Sequence, residues 1–522
     1  MGKTTRRVFV KSAGTAAGML AVAGWNATVP AQGRDKLRLG FVGGGKRGQK
    51  LLLDGLLGSH DFDIVAVADA YEYNLKVAGQ MAWFANAGVM WPRYRDDLTE
   101  EHRRALGRAT RPDQYPGLAE MLAGCELDAV IVATPPSTHA ALTSACLQAG
   151  KHVFCETPMA TSMSDARMIV KAAHESGRVV QIGHQRRYHP NYNLVMKHLH
   201  DNYPLGRPVQ IEMYDHFNSH GRESLTRMPW ADPPSARELG TGLDRVVNWR
   251  RFDEAGDGPC FESIPRSLDI ANWFCGGIPH RVYVSGGIEY WRDGRTAPDT
   301  MNAIFEYRME ASNPNFVRLG SRYTPQDTPA LNSTFTLRTT YSYSRCSSEH
   351  GSHERVIGDR ASALLRPEGD SFFQMETMSG SPTELLREHR DLLSSTLAKR
   401  LAEMTESERE NFVRTHGATY DLPGYTRGPR TTAPILAEGS EETVEMIQLR
   451  SFAECIRKGE TPRANVMVGL AAVVAGEHAQ RSLASEGPVE IDPALMAFDF
   501  EVPSITGFDE NVTPIPGAME VL

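Results

Sequence analysis

The sequence predicts an α/β protein in two parts: a doubly wound parallel sheet, then an α+β unit with an open, mostly antiparallel sheet. Three observations carry this. Between residues 37 and 183 short apolar strands alternate with helical stretches, as in a parallel sheet covered on both faces. The first of these strands runs directly into a turn whose glycines are spaced Gly43, Gly45, Gly48. Beyond residue 186 the strands lengthen and gain β-branched and aromatic residues, the composition of a sheet with one packed and one open face.

Taken in order, the chain opens with Thr5-Arg-Arg-Val-Phe-Val-Lys11, an apolar run over 12–25 and the small residues Val29-Pro-Ala31. This is a twin-arginine pattern, and residues 1–31 are expected to be a leader directing export to the periplasm. The apolar run is too short and too rich in Gly and Ala to span a bilayer. Strands are expected at 37–42, 61–69, 127–134, 151–156 and 179–183, with helices from Gln49, over 139–149 and over 164–176; residues 76–115 read as irregular and charged. A first domain over 36–185 follows. The second, over 186–366 and 441–490, has strands at 209–214, 281–285, 301–307 and 333–338 and two returning helices at 442–458 and 464–484. Residues 367–440 fit neither pattern and read as an insertion with a charged helix (382–408) and a Gly/Pro/Thr-rich loop (422–434); 491–522 read as a surface tail.

The net charge of −8 is mild and no basic block occurs, which argues against a nucleic-acid partner. Seven cysteines are scattered without a C-x-x-C pair, which argues against a zinc site or a disulfide framework. Asp215, His216 and His220 are close in sequence but lack metal-ligand spacing, so no metal is expected.

The glycine spacing has a physical meaning. The first glycine permits the tight turn, the second lets backbone approach a pyrophosphate, and the third lets helix pack on strand. N–H groups at the helix start would face the phosphates. The second strand ends in Asp69, placed to grip a ribose 2′-hydroxyl. A dinucleotide is therefore expected on Gly43, Gly45, Lys46, Arg47, Gly48 and Asp69. A carboxylate at this place favours NAD over NADP, although Lys76 nearby leaves NADP open. Ligands of such sheets lie beyond the carboxyl ends of the strands, which here carry Thr134-Pro-Pro-Ser-Thr-His139, Glu156-Thr-Pro158 and Gly183-His-Gln-Arg-Arg-Tyr-His189.

These segments, with Gly150-Lys-His-Val-Phe-Cys-Glu156, Asn248-Trp-Arg250, Leu268-Asp-Ile-Ala-Asn-Trp-Phe274, Glu354-Arg-Val-Ile-Gly358 and Phe452-Ala-Glu-Cys-Ile-Arg-Lys-Gly459, resemble the Gfo/Idh/MocA family of glucose–fructose oxidoreductases and inositol dehydrogenases. The resemblance implies a Rossmann domain followed by a substrate domain whose sheet often joins dimers or tetramers. It also implies NAD(P)-dependent oxidation of a secondary hydroxyl on a sugar or sugar derivative. Thr134, Pro135, His139, Glu156 and Thr157 would then lie at the cofactor.

Two positions depart from the family. Its Glu-Lys-Pro is here Glu156-Thr-Pro158, and threonine cannot relay a proton as an amine can. Its Asp-x-Gly-x-His-x-x-Asp is here Glu262-Ser-Ile-Pro-Arg266-Ser-Leu-Asp269, and arginine is a poor base. The remaining candidates for proton transfer are His184 first, then Tyr188 and His189, with His139 and Asp269 behind. Arg266 would hold an anionic or polyhydroxy substrate, or pair with Asp269 one turn on. Export of a folded protein implies a tightly held, preloaded dinucleotide. Two alternatives stay open: a redox-neutral NAD-dependent glycosidase, since relatives of that kind can lack the lysine, and a dinucleotide-binding partner protein without chemistry.

Overall fold

The computed structural model describes residues 36–91, 98–200, 205, 208–218, 249–252, 258–292, 294–310, 334–358, 361–368, 371–376, 405, 407–408, 430–435 and 442–509. The expected leader, most of the charged helix at 382–408 and the end of the tail lie outside the described residues.

Six parallel strands form the first sheet: β1 (Leu37–Val42), β2 (Phe62–Ala68), β3 (Asp113–Tyr115), β4 (Ala129–Val132), β5 (His152–Cys155) and β6 (Val180–Ile182), in the order β3-β2-β1-β4-β5-β6. β4 and β5 are buried at every position, which is why they read as apolar runs, broken only by His152 at the start of β5. The chain order reverses between β1 and β4, and that crevice is where such sheets bind ligands.

The helices are α1 (Lys46–Lys50, continued by a π-helical turn, Leu51–Gly55), α2 (Glu72–Asn86), α3 (Glu100–Arg108), α4 (Leu118–Gly124), α5 (Pro136–Gln148) and α6 (Met163–Ser176). The expectation of irregular structure over 76–115 is corrected: α2, α3 and β3 lie there. Among residues of α3 only Leu106 is buried, and the helix is held at its start by Thr99, whose side chain accepts from the His102 backbone N–H. Two adjacent apolar residues, Ala105 and Leu106, in nine leave almost no period to read.

A 3₁₀ turn (Gln185–Tyr188) and α7 (Pro190–His200) lead into the second unit. Its sheet contains β7 (Pro208–His216), β8 (Arg281–Gly287), β9 (Thr300–Glu310), β10 (Thr334–Ser344), β11 (Ser352–Gly358), β12 (Ala361–Leu365), β13 (Ser371–Glu376), β14 (Arg430–Ile435) and β15 (Val489–Glu490). The order is β14-β13-β12-β11-β7-β10-β9-β8-β15, and every pairing except β7–β10 is antiparallel. β13 and β14 fall within 367–440, so the two ends of that segment extend this sheet, and the loop expected to run to 434 ends in a strand. β9 alternates strictly between buried and outward positions, the period-2 pattern of one packed face.

α8 (Pro259–Glu262), α9 (Ile264–Cys275), α10 (Val444–Lys458) and α11 (Val466–Ser485) complete the structure. α11 is buried from Val466 through Gly476 and touches both units. A Cβ at Gly469 would meet Met159 beside the first sheet, and one at Gly476 would stand 2.5 Å from the Cys260 carbonyl oxygen at α8. α10 returns to the first unit, where Phe452 stacks on Phe62 at 6.2 Å and meets Phe154 edge-on at 6.0 Å. The tail then crosses back over both units. Arg167 donates to the carbonyls of Leu495 and Ala497, Trp273 to Thr506, and Asn465 to Ser504. Among the described residues, no helix is long and apolar enough to cross a membrane.

Phe452 is fully buried between two rings, so Phe452→Ala should cost about 3–5 kcal/mol. A urea denaturation of the purified protein measures this as a lowered midpoint; an unchanged midpoint would contradict the packing described.

Candidate active site

The turn after β1 is built from steric necessity. Gly43 has φ +101°, and a Cβ there would lie 2.5 Å from the Ala133 carbonyl oxygen at the end of β4. A Cβ on Gly48 would stand 2.0 Å from the Gly43 carbonyl oxygen. Neither position tolerates a side chain. Gly45 differs, because a Cβ there would meet nothing within 4 Å. It opens onto the crevice at the start of α1, and no side chain caps that helix. Asp69 closes the turn from β2: its Oδ2 accepts from Gly44 N at 2.7 Å and its Oδ1 from Tyr71 N at 2.7 Å. Burial raises its pKa, and the two backbone donors oppose that rise. The Asn74 side chain also bonds this carboxylate, which leaves acceptor capacity for one ribose hydroxyl.

Lys46 is exposed at the mouth of the turn. Arg47 is committed inward: Nε pairs with Glu156 at 2.7 Å, Nη1 with Glu445 of α10 at 2.9 Å, and Nη2 donates to Gln185 at 2.9 Å. It ties the turn to β5, to α10 and to the 3₁₀ turn, and Nη1 and Nη2 each keep a second N–H beyond these bonds. Thr134 and Pro135 are half-buried at the tip of β4, where the Thr134 hydroxyl bonds that of Thr138 at 2.7 Å. His139 lies beneath, only 1% exposed, with a ring nitrogen on each of two carbonyl oxygens, those of Pro158 and Thr134.

β5 and β6 pair in register, Cys155 with Ile182, so Thr157 and His184 leave the sheet side by side. Between them Glu156 packs against Gly183, where a Cβ would come within 2.5 Å of Glu156 Oε2. The Thr157 hydroxyl and His184 Nε2 are both buried, and neither has a hydrogen-bond partner among the described residues. His184 is 3% exposed, and its Nδ1 stands 3.5 Å from Asp269 Oδ2 of α9. Burial lowers its pKa; Asp269 opposes the shift, while Arg187 and Arg186 add to it. The imidazole is thus neutral near pH 7.

Three expectations are corrected here. Asp269 does not pair with Arg266, despite their spacing on α9. Its carboxylate is taken by Arg187, whose Nε lies 3.0 and 2.9 Å from the two oxygens and whose Nη2 lies 2.7 Å from Oδ1. Arg266 instead reaches Glu262 at 3.1 Å and stands 3.9 Å from Asp215, which Arg345 also holds at 3.2 Å. Its side chain remains 41% exposed. Although burial disfavours the Asp215 carboxylate, Arg345 and Arg266 hold it well below the usual range. Tyr188 is a core residue, 1% exposed, whose hydroxyl accepts from Ala464 N at 3.2 Å and whose ring lies under Arg463; it presents nothing to a substrate. His189 is turned against the Tyr192 ring and accepts from Asn191 N, and burial followed by Arg186 lowers its pKa to about 4.

Sequence reasoning missed Arg186, Arg187 and Glu354 as parts of the site. Glu354 is wholly buried and accepts from the Tyr192 hydroxyl at 2.5 Å, while Arg186 pairs with it at 2.9 Å. The signal was there in the segments Gly183–His189 and Glu354–Gly358, which carry the family resemblance, but the pairing of Arg186 with Glu354 is not local.

Comparison with known proteins agrees with this geometry. Residues 37–184 match the Gfo/Idh/MocA group, described as an oxidoreductase family with an NAD-binding Rossmann fold. Over 181 residues the chain is 36% identical to inositol 2-dehydrogenase 2 of Saccharopolyspora erythraea, covering 34% of this chain and 43% of that protein. Over 78 residues it is 44% identical to 4-carboxy-2-hydroxymuconate-6-semialdehyde dehydrogenase of a Sphingobium species, covering 15% of this chain and 25% of that one. The matched region thus spans less than half the length of these curated relatives. The fold is also that of aldose-aldose oxidoreductase from Caulobacter crescentus, complexed with glycerol, at TM-score 0.54 and 18% identity over 87% of this chain and 99% of that chain.

Asp269→Ala would leave Arg187 charged and buried without a counter-ion, at a cost of about 3–5 kcal/mol. The loss should appear as a lowered thermal midpoint, and an unaltered one would show that Arg187 finds another partner. Gly48→Ala should abolish dinucleotide binding by pushing the added methyl into the Gly43 carbonyl; calorimetric titration with NAD measures it.

Proposed function

We propose that this chain, which belongs through residues 37–184 to the Gfo/Idh/MocA oxidoreductase family, is an NAD-dependent enzyme that oxidises a secondary hydroxyl of a sugar or sugar derivative. The observation that carries the reading is the pair of buried polar atoms without a hydrogen-bond partner among the described residues, Thr157 Oγ1 and His184 Nε2, which follow the paired ends of β5 and β6. The turn itself fits a dinucleotide: Gly45 is open where a Cβ would otherwise intrude, and Asp69 keeps acceptor capacity at the tip of β2. Gly43, Gly45 and Gly48 would hold the pyrophosphate, Asp69 a ribose, and Thr134, Pro135, Glu156 and Thr157 the nicotinamide half. NAD, when bound, supplies the hydride acceptor.

The chain's own residues then handle the proton. His184 is neutral, its Nδ1 side is set toward Asp269, and Nε2 is left to accept the hydroxyl proton as the carbon loses hydride. Thr157 donates a hydrogen bond to the same oxygen and holds it in place. The half-exposed Arg266 at the start of α9 would bind a further hydroxyl or a carboxylate of the substrate. A polyol or sugar is favoured by the named activities of the relatives, inositol dehydrogenation and aldose oxidoreduction.

The finer parts of the reading rest on sequence. The twin-arginine pattern supports export, and a periplasmic enzyme without a soluble nicotinamide pool supports a tightly held cofactor. Self-association is supported by the outward face of the second sheet, where Tyr283 and Ile304 form an exposed cross-strand pair, 43% and 41% exposed. Thr157 in place of an amine also favours a second reading, redox-neutral glycoside cleavage with the same bound NAD.

Denaturing the purified protein should release close to one nicotinamide dinucleotide per chain; none bound or bindable would sink both readings. A panel of polyols, sugars and aryl glycosides, followed for hydride transfer and for aglycone release, separates the two. In either reaction His184→Gln should lower kcat about 10²–10⁴-fold with dinucleotide binding retained. Because the His184 pKa is lowered, the wild-type rate of oxidation should stay level from pH 8 to pH 6.5 and fall only below that. A rate that halves at or above pH 6.5 would exclude His184 as the base.

A further inference from the structure

His139 joins the two turns that frame the crevice, and it does so with more hydrogen-bond donors than a neutral histidine has. Its Nδ1 lies 2.7 Å from the Pro158 carbonyl oxygen, beyond β5, and its Nε2 lies 2.8 Å from the Thr134 carbonyl oxygen, beyond β4. Carbonyl oxygens only accept. A neutral imidazole has one N–H, so it could satisfy one carbonyl while setting its lone pair against the other. At 1% exposure no solvent relieves that contact, and an unmet buried polar group is costly. The imidazolium, with two N–H donors, satisfies both.

We propose that His139 is held as an imidazolium at neutral pH and is a positioning residue, a two-ended clamp that sets the spacing between the Thr134 turn and the Thr157 turn. That these turns floor a dinucleotide site rests on the function proposed above; the charge on the ring does not. Among the described residues, the titratable group set against the ring is Cys155 of β5, whose S–H donates to the Glu156 carbonyl at 3.4 Å; Cys146, on the same helix as His139, faces Cys155 in turn. Burial opposes the charge; the two carbonyls favour it, as does Cys155 to the extent that its sulfur carries negative charge, and the pKa rises to about 9.

The sign of the pH dependence follows. A folded-state pKa above the unfolded value of about 6.5 gives stability that is complete below pH 6.5 and is lost as pH rises to about 9. Above that the clamp has one donor and one turn is released. His139 touches neither substrate nor cofactor in this account and acts through backbone carbonyls alone.

Nitrogen-15 NMR on histidine-labelled protein without added dinucleotide tests the charge, with His139→Gln used to assign the resonance. Both ring nitrogens should report as protonated at pH 7, and one bare nitrogen would overturn the proposal. The doubly protonated state should persist in Cys155→Ala; its loss there would transfer the cause from the carbonyls to the sulfur and overturn the clamp. If His139→Gln fails to fold, a wild-type pH titration identifies the resonance by its high midpoint. For the positioning role, the NAD dissociation constant is measured from pH 6 to pH 10. It should weaken about tenfold through pH 9 in the wild type, the scale of one lost charge-assisted hydrogen bond. An affinity that stays flat through pH 9 would refute the clamp. If no NAD binds at any pH, the functional reading fails while the NMR result still decides the charge.

Discussion

The structure turns on one buried ion pair, Arg187 with Asp269. Arg187 follows the last strand of the first sheet, and Asp269 sits on the helix that packs against the second. Their side chains are 0% and 2% exposed. Removing both charges from water costs several kcal/mol per ion, and only near-ideal geometry with every donor met can offset it. Here Nε and Nη2 meet the carboxylate, Nη1 donates to the Ile505 carbonyl of the tail at 2.7 Å, and the guanidinium lies 5.1 Å from the Trp273 ring centre. The two units cannot slide relative to each other without exposing or orphaning one of these groups. The same carboxylate faces His184, so the contact that fixes the domains also fixes the direction in which the histidine presents its free nitrogen.

Much of the first unit was legible because its signals are local. Strands buried on both faces are predominantly apolar, and the runs Ala129–Val132 and Val153–Cys155 declare it. The glycine turn was legible because the backbone contacts at Gly43 and Gly48 admit no side chain at all. The two C-terminal helices carry strong apolar faces and were placed within two residues of their observed ends. What the sequence hid was partnership. Arg266 and Asp269 share a helix face, and spacing alone joins them, yet a guanidinium arriving from 82 residues away has the better bidentate geometry. Tyr188 reads as a polar-tipped residue in a loop, and nothing local says that its hydroxyl caps a backbone N–H from residue 464. β14 is the edge strand of its sheet and β13 is only six residues long, so the period-2 signal in this polar segment is faint.

The two departures from the family pattern have a common physical consequence. An amine at position 157 or an imidazole at 266 would bring a titratable group with a counter-ion of its own. Threonine brings a hydroxyl that does not titrate, and Arg266 spends its charge on Glu262 and Asp215. In the proposed reaction, proton chemistry would thereby fall to His184. Its carboxylate neighbour is already neutralised by Arg187, so the field on the imidazole is too weak to hold a proton there at neutral pH. A histidine kept neutral by burial is a ready acceptor, whereas one paired to a bare carboxylate would be protonated before substrate arrived.

The donor and acceptor inventory of the two orphaned atoms then selects what can sit between them. Neutral His184 Nε2 accepts and the Thr157 hydroxyl donates. The oxygen of a secondary alcohol meets both needs at once, since it can donate one hydrogen bond and accept another. A carbonyl oxygen cannot, because it would set its lone pair against that of Nε2. Once the hydroxyl proton has moved, Nε2 becomes a donor, and the carbonyl oxygen of the product then meets two donors, Nε2 and Thr157. In the proposed reaction, substrate alcohol and product ketone would each be matched to one protonation state of His184. The burial that leaves these two polar atoms unsatisfied in the free chain, at about 1–3 kcal/mol each, is removed only by a ligand of that alternating character. That is a constraint on the reacting group itself, and it holds for the proposed reaction whatever molecule carries that group.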